Sequence, residues 1–230
     1  MNKQTLSNSY SEILSLISTS DNKVVLPTTL HDIYWYFKKP KEYAVISHFT
    51  PDGMPLVFFQ RLMGNRVERV YGPDILKKSL EKLSSKKHVF VASSDVLDQM
   101  KERFVAYKDT YLYIPVGYRE TVSELISDDQ MRAIQDHSPD SIWLGIGSPK
   151  QVLLASYLRE KLNKVNIICV GAGLDFLVNK QVMSPKYIQS IGLEWLFRFI
   201  REPARLWKRY LIFSIIGLIK LPVFMKQINR

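Results

Sequence analysis

The chain has 230 residues, 46% of them hydrophobic, enough for one substantial core or two small lobes sharing one. Thirty-two Lys and Arg against 22 Asp and Glu give a net charge of +10, and from Trp195 to Arg230 eight basic residues face one acid, Glu202, so +7 of the excess sits in the final 36 residues. A basic segment on a nearly neutral body points to a polyanion, whether nucleic acid, an anionic lipid surface or a phosphorylated small molecule, and the single cysteine, Cys169, excludes a disulfide framework or a thiolate metal cluster.

The chain starts with MNKQTLSNSYSEILSLI, which lacks the continuous apolar core of a secretory signal. Short β-branched or aromatic runs then alternate with helical patterns. KVVLP (23–27) and EYAVIS (42–47) read as strands. PDILKKSLEKL (73–83) reads as a helix that opens on a proline, whose missing N–H does no harm there. HVFVAS (88–93) is a strand, SDVLDQMKERF (94–104) a helix and TYLYIPV (110–116) a strand; residues 121–135 carry helical spacing. SIWLGIG (141–147), the helix PKQVLLASYLREKL (149–162) and NIICVGAG (166–173) complete the alternation. The pattern predicts an α/β fold with a largely parallel sheet flanked by helices in Rossmann-like halves. The expected division is a core over residues 1–194 and a basic amphipathic appendage over 195–230.

SIWLGIGSPK and NIICVGAGLDF each run from a strand into a Gly-x-Gly turn. In a right-handed strand–helix–strand unit both turns emerge at the carboxyl edge of the sheet, where ligands bind. Neither is a dinucleotide fingerprint, because Lys150 and Phe176 hold the third glycine position. The sequence has no Asp-x-Asp pair, His-Glu-x-x-His, Walker lysine loop or Gly-x-Ser-x-Gly elbow, so no metal site is expected. Asp52, between Pro51 and Gly53, is either a turn residue or a catalytic carboxylate. Asp74 reads as a helix-dipole partner after Arg66, Arg69 and the Gly72-Pro73 break.

Taken in order, PDG, RLMGNRVERVYGPDIL, GIGSPKQ, VGAGLDFL and SPKYIQSIGLEWLFRFIREPARLWKRYL resemble the WecG/TagA/CpsF glycosyltransferases, bacterial enzymes that move a sugar from a UDP donor to a lipid-linked acceptor. The likeness runs from about Val24 to Leu211 and is most specific between Gly145 and Tyr210. It implies an inverting, metal-independent hexosyltransferase without a cofactor, with Asp52 as general base and Gln151 as a hydrogen-bonding partner of substrate hydroxyls. A positioned base is needed because the acceptor hydroxyl must lose its proton as it attacks the anomeric carbon. The UDP side is assigned to Thr28, Thr29, Arg69, Gly147, Ser148, Lys150, Gly171, Asp175, Arg198, Arg205 and Lys208. Arg198, Arg201, Arg205 and Lys208, spaced three, four and three, are expected on one helix face, kinked or not at Pro203.

Of that tail, Arg201, Trp207, Arg209, Tyr210, Phe213 and Ile216 are assigned to an anionic membrane surface. No stretch reaches about 20 consecutive apolar residues, so YLIFSIIGLI is expected in the interfacial layer, or else buried against the sheet or a partner subunit. The expected partners are a UDP-sugar, a polyprenyl-diphosphate-linked acceptor, the membrane, and a second copy or partner glycosyltransferase. Nucleic acid is not expected, since the basic residues are confined to an apolar tail. The expected location is cytoplasmic, on the inner face of the bacterial plasma membrane. The alternative function is a non-catalytic UDP-sugar-binding subunit of another transferase. Three departures from the family pattern stand out: Leu26-Pro27-Thr28, followed by Thr29 and His31, replaces Thr-Pro-Asn; Val152 replaces a Glu; and Ser93-Ser94 replaces a glycine pair.

Overall fold

A computed structural model describes residues 4–19, 22–117 and 124–228. The first three residues of the helical pattern at 121–135, and Arg230 of the basic tail, lie outside the described residues.

The architecture is a seven-stranded sheet, all parallel, in the order β1-β3-β2-β7-β6-β4-β5. The strands are β1 (Thr5–Leu6), β2 (Val24–Thr28), β3 (His48–Pro51), β4 (His88–Ala92), β5 (Tyr111–Pro115), β6 (Ser141–Leu144) and β7 (Asn166–Cys169). Strands β2, β4, β6 and β7 are buried throughout, as a parallel sheet covered on both faces requires. One face is covered by α2 (Leu30–Lys38), α3 (Pro40–Tyr43), α4 (Met54–Leu62), α7 (Asp128–His137) and α8 (Lys150–Lys161). The other carries α1 (Tyr10–Thr19), α5 (Gly72–Lys82), α6 (Ser94–Arg103) and α9 (Gly173–Leu177). Beyond α9 follow α10 (Lys186–Ser190), α11 (Glu194–Arg201), α12 (Pro203–Trp207), a π-helical turn over Lys208–Phe213, and α13 (Ser214–Ile228).

The strand expected over 42–47 lies further along, at His48–Pro51. Pro40 nucleates the short helix α3, and Tyr43 and Ile46 bury their side chains without entering the ladder. Ladder pairing begins only where His48 faces Val25. Thr5–Leu6, which pairs with β3, was not anticipated; two residues are too few to show a period.

The tail also differs from expectation. Glu202, which precedes Pro203, adopts φ −136° and ψ 56° and ends α11, because the proline ring disfavours helical geometry in the residue before it. Arg198 and Arg205 therefore do not share a continuous helix face. Downstream, Pro203–Ile228 forms a helical run of 26 residues that by length and composition is able to cross a membrane, so the expectation that no segment reaches that length is corrected. One side of it is docked. Gly217, Leu221, Phe224, Met225 and Ile228 are buried against the body, with the Phe224 ring 5.1 Å from Phe49 and 5.0 Å from Tyr36. The opposite side, with Ile215, Leu218, Ile219 and Val223, is exposed.

Candidate active site

A pocket of about 440 Å³ opens over the carboxyl ends of β2, β3, β6 and β7. This is the crevice position expected of an open parallel sheet. The β6–α8–β7 unit brings both glycine turns here. Gly147 (φ +75°) and Gly171 (φ +54°) occupy the left-handed region, which a side chain would strain.

Gln151 ties the two turns together. Its Nε2 donates to Ser148 Oγ at 3.1 Å, and its Oε1 accepts from the Gly171 backbone N–H at 2.9 Å. Ser148 in turn donates to Asp32 Oδ1. The other oxygen of Asp32 accepts from the Thr29 backbone (2.8 Å) and hydroxyl (2.6 Å), which caps α2. The start of α2 is thereby locked to the start of α8 across the pocket.

The same pocket is lined by an ionic cluster. Asp52 follows β3 and accepts from Arg69 Nη2 at 3.4 Å and from the Gly72 N–H at 3.3 Å, while Arg69 Nε donates to the Asp52 carbonyl at 2.6 Å. Arg69 also pairs with Glu194 at 2.7 Å, and Tyr71 donates to the other Glu194 oxygen at 3.0 Å. Arg69 stacks on the Tyr71 ring at 4.4 Å. Burial raises the Asp52 carboxyl from 3.8 to about 6; Arg69 opposes the rise, and the Glu194 and Asp32 charges add to it. Burial and Glu194 likewise hold the Tyr71 phenol above its usual range, so it remains a donor. The side chain of Asp52 stays 14% exposed and faces the pocket.

Of the residues singled out in the sequence, Thr29, Asp52, Arg69, Gly147, Ser148, Gln151, Gly171 and Arg198 line this pocket. Arg198 donates to Gln181 Oε1 at 3.3 Å and lies 5.6 Å from the Phe176 ring. Arg209 and Tyr210, assigned to lipid, also line it. Thr28, Lys150, Asp175, Arg205 and Lys208 are absent from its wall. The Thr28 hydroxyl is buried and turns back to the Leu26 carbonyl at 2.7 Å. Asp175 is a partly buried acid in the first turn of α9, with its carboxyl raised by burial. Arg205 points outward and pairs with Glu202 one turn away, a consequence of the break before Pro203. Arg201 and Trp207 are exposed, Phe213 stacks on Tyr34 at 4.6 Å, and Ile216 is half-buried. Asp32, Tyr71 and Glu194 were missed. A Thr-x-x-Asp capping box at 29–32 was legible for the first, but nothing local marks the other two.

The family model described as "Glycosyl transferase WecG/TagA/CpsF family" matches residues 1–229. The chain belongs to that family. Among curated relatives, the N-acetylglucosaminyldiphosphoundecaprenol N-acetyl-beta-D-mannosaminyltransferase of Bacillus subtilis (strain 168) is 27% identical over 205 residues, covering 83% of this chain and 77% of the relative. The protein of the same name from Staphylococcus aureus (strain MW2) is 24% identical over 220 residues, covering 93% and 79%. As a WecG/TagA/CpsF member the chain is a glycosyltransferase, and the pocket over the glycine turns is its candidate active site.

Proposed function

We propose that the chain transfers a hexose or N-acetylhexosamine, or its uronic acid, from a UDP-sugar to a polyprenyl-diphosphate-linked saccharide, with inversion and without a metal ion, in cell-surface polysaccharide synthesis. The observation that carries the reading is Asp52: a carboxylate raised to about 6 on the wall of a pocket that the glycine turns and Arg198 also line. UDP lies over Gly147 and Gly171, which add no side chain of their own to the pocket floor, and Arg198 reaches its diphosphate. The acceptor hydroxyl attacks the anomeric carbon from the face opposite UDP. Its proton passes to Asp52, the carbon–oxygen bond to UDP breaks, and the developing negative charge on the β-phosphate is met by Arg198. Arg69 holds the Asp52 carboxylate in place without neutralising it. The relatives' names specify a β-linked product, which an α-linked donor gives by a single displacement. The absence of an Asp-x-Asp pair in the sequence supports metal independence.

The exposed apolar side of α13, with Ile219 73% and Val223 53% exposed, follows the exposed Trp207 and the basic residues of the tail along the chain. It supports a place at the inner membrane surface, where a polyprenyl acceptor resides.

UDP should raise the melting temperature, since a ligand bound only to the folded state stabilises it, whereas ADP and GDP at equal concentration should not. Transfer in EDTA should match transfer without it. An equal shift with all three nucleotides, or complete loss of transfer in EDTA, would contradict the proposal.

The base carries a pH signature. Asp52 must be ionised to accept a proton, so kcat/KM should rise about tenfold per unit below about pH 6 and level off above it. Stability should move the other way. The folded-state value lies above the unfolded 3.8, so this group's contribution is full below that value and is lost as pH rises through about 6. A profile flat from pH 5 to 8 would remove Asp52 from the base role.

A further inference from the structure

Three arginines line the pocket, and they are not equivalent. Arg69 is engaged by Asp52 and Glu194. Arg198 reaches the Gln181 amide beside α9. Arg209 comes from the π-helical turn, next to His31 of α2. Among the described residues no carboxylate pairs with it, and its Nε is buried without a hydrogen-bond partner.

The groups around it give it no direct ion pair, although the Asp32 carboxylate is nearby and acts with Arg209 on His31. His31 is close enough that burial and the Arg209 charge together lower its pKa to about 4, so the ring is neutral at physiological pH, and its buried Nδ1 is also unpartnered. Both oxygens of the adjacent Asp32 are occupied by Thr29 and Ser148. A guanidinium at the pocket wall that makes no ion pair and whose Nε has no partner is available to an anion, and its planar fork suits phosphate.

The second observation is apolar. Leu211, Ile215 and Leu218 line the pocket, yet each is 51% exposed. The pocket therefore opens along the outer side of α13, and Ile219 and Val223 extend the stripe beyond the mouth. A polyprenyl diphosphate has a doubly anionic head joined directly to a branched hydrocarbon. It needs a cation and an apolar path side by side, and Arg209 and Leu211 are two residues apart.

We propose that Arg209 holds the diphosphate of the lipid-linked acceptor and that Leu211, Ile215 and Leu218 carry its first isoprene units out of the pocket. This rests on the transferase reading above, and it assigns the two arginines to different substrates: Arg198 to the donor, Arg209 to the acceptor. The π turn is what makes the division. Its wider turn brings the Ser214 backbone N–H, five residues on, to the Arg209 carbonyl, which also accepts from Ser214 Oγ at 2.8 Å, and shifts the face that the preceding residues present.

The test uses the full chain and the variants Arg209→Gln, Arg209→Lys and Leu218→Glu, each first compared with wild type by circular dichroism. Three quantities are read: UDP affinity by titration, KM for a polyprenyl-diphosphate N-acetylglucosamine, and KM for the same head on a short alkyl chain. Arg209→Gln should raise both acceptor KM values roughly tenfold or more while UDP affinity stays within about twofold, and Arg209→Lys should recover part of the loss. Leu218→Glu should raise KM for the long-chain acceptor alone. UDP affinity falling in Arg209→Gln as far as acceptor affinity would make Arg209 a donor group, and unchanged acceptor KM with normal turnover would remove the subsite; either overturns this inference alone. A wild-type chain that neither binds UDP nor transfers would overturn the transferase reading and this inference with it.

Discussion

Asp52→Asn should lower kcat by about 10²–10⁴-fold while leaving UDP affinity within a few-fold, because the substitution keeps the shape and an acceptor oxygen but removes the proton-accepting charge. The geometry makes this variant informative. The Asp52 backbone carbonyl, not its carboxylate, takes the short bond from Arg69 Nε, so the turn keeps that anchor when the side chain changes. Arg69 still has Glu194 as its ion-pair partner. The fold is therefore expected to survive; because burial and Glu194 disfavour the charged form of Asp52, the neutral amide should not reduce stability at pH 7. The acidic limb of the pH profile should vanish in the residual activity. Kinetics under saturating donor and acceptor, with a melting curve as control, check this.

The second large effect is expected at the contact between α13 and α2, behind the pocket wall. Gly217 packs on the first turn of α2, and a Cβ there would lie 1.9 Å from the Leu30 carbonyl oxygen, which is backbone and cannot swing aside. Gly217→Ala should force α13 off α2, at a cost of about 1–3 kcal/mol or more, as overpacking of a close contact does. For a chain of this size that corresponds to a melting temperature lower by roughly 2–4 °C per kcal/mol. Activity should fall with it, because Leu30 and Asp32 of α2, and Arg209 and Ser214 of the tail, all line the same pocket. The enlarged side chain would thus act at both ends of one contact. Differential scanning calorimetry together with a transfer assay separates this from a purely local effect: a variant with unchanged melting and unchanged turnover would show that the two helices need not approach so closely.

How much of this was legible beforehand differs between body and tail. The strands of the body could be read because a parallel sheet buried on both faces leaves continuous apolar runs, and β4 through β7 fall where HVFVA, YLYIP, SIWL and NIIC stand. β3 was misplaced for a physical reason: Tyr43, Val45 and Ile46 have the composition of a strand, but Pro40 sets them into a helical turn and its exit. In the site, the glycine turns, Asp52, Arg69 and Gln151 carried local signals. Glu194 did not. It meets Tyr71 and Arg69 across separations of 123 and 125 residues, and no local pattern encodes such a meeting. The tail failed differently. Counting threes and fours assumes one unbroken α-helix, and both the Glu202 break and the π turn violate that assumption, so Arg205 faces outward with Glu202 and Arg209 reaches the pocket. The apolar segment was expected to be either interfacial or buried; one side of it is in the core and the other is exposed.

The central claim is that the pocket over the β6 and β7 glycine turns performs inverting sugar transfer with Asp52 as base. Its most direct test is the product of one reaction. Purified chain is incubated with a UDP-N-acetylhexosamine, polyprenyl-diphosphate N-acetylglucosamine and EDTA, and the new glycosidic linkage is assigned by NMR while released UDP is counted. The account predicts a single β-linked disaccharide, one UDP released per linkage formed, and neither product from the Asp52→Asn variant above background. An α-linked product, UDP released without a new linkage, or full turnover by Asp52→Asn would contradict it.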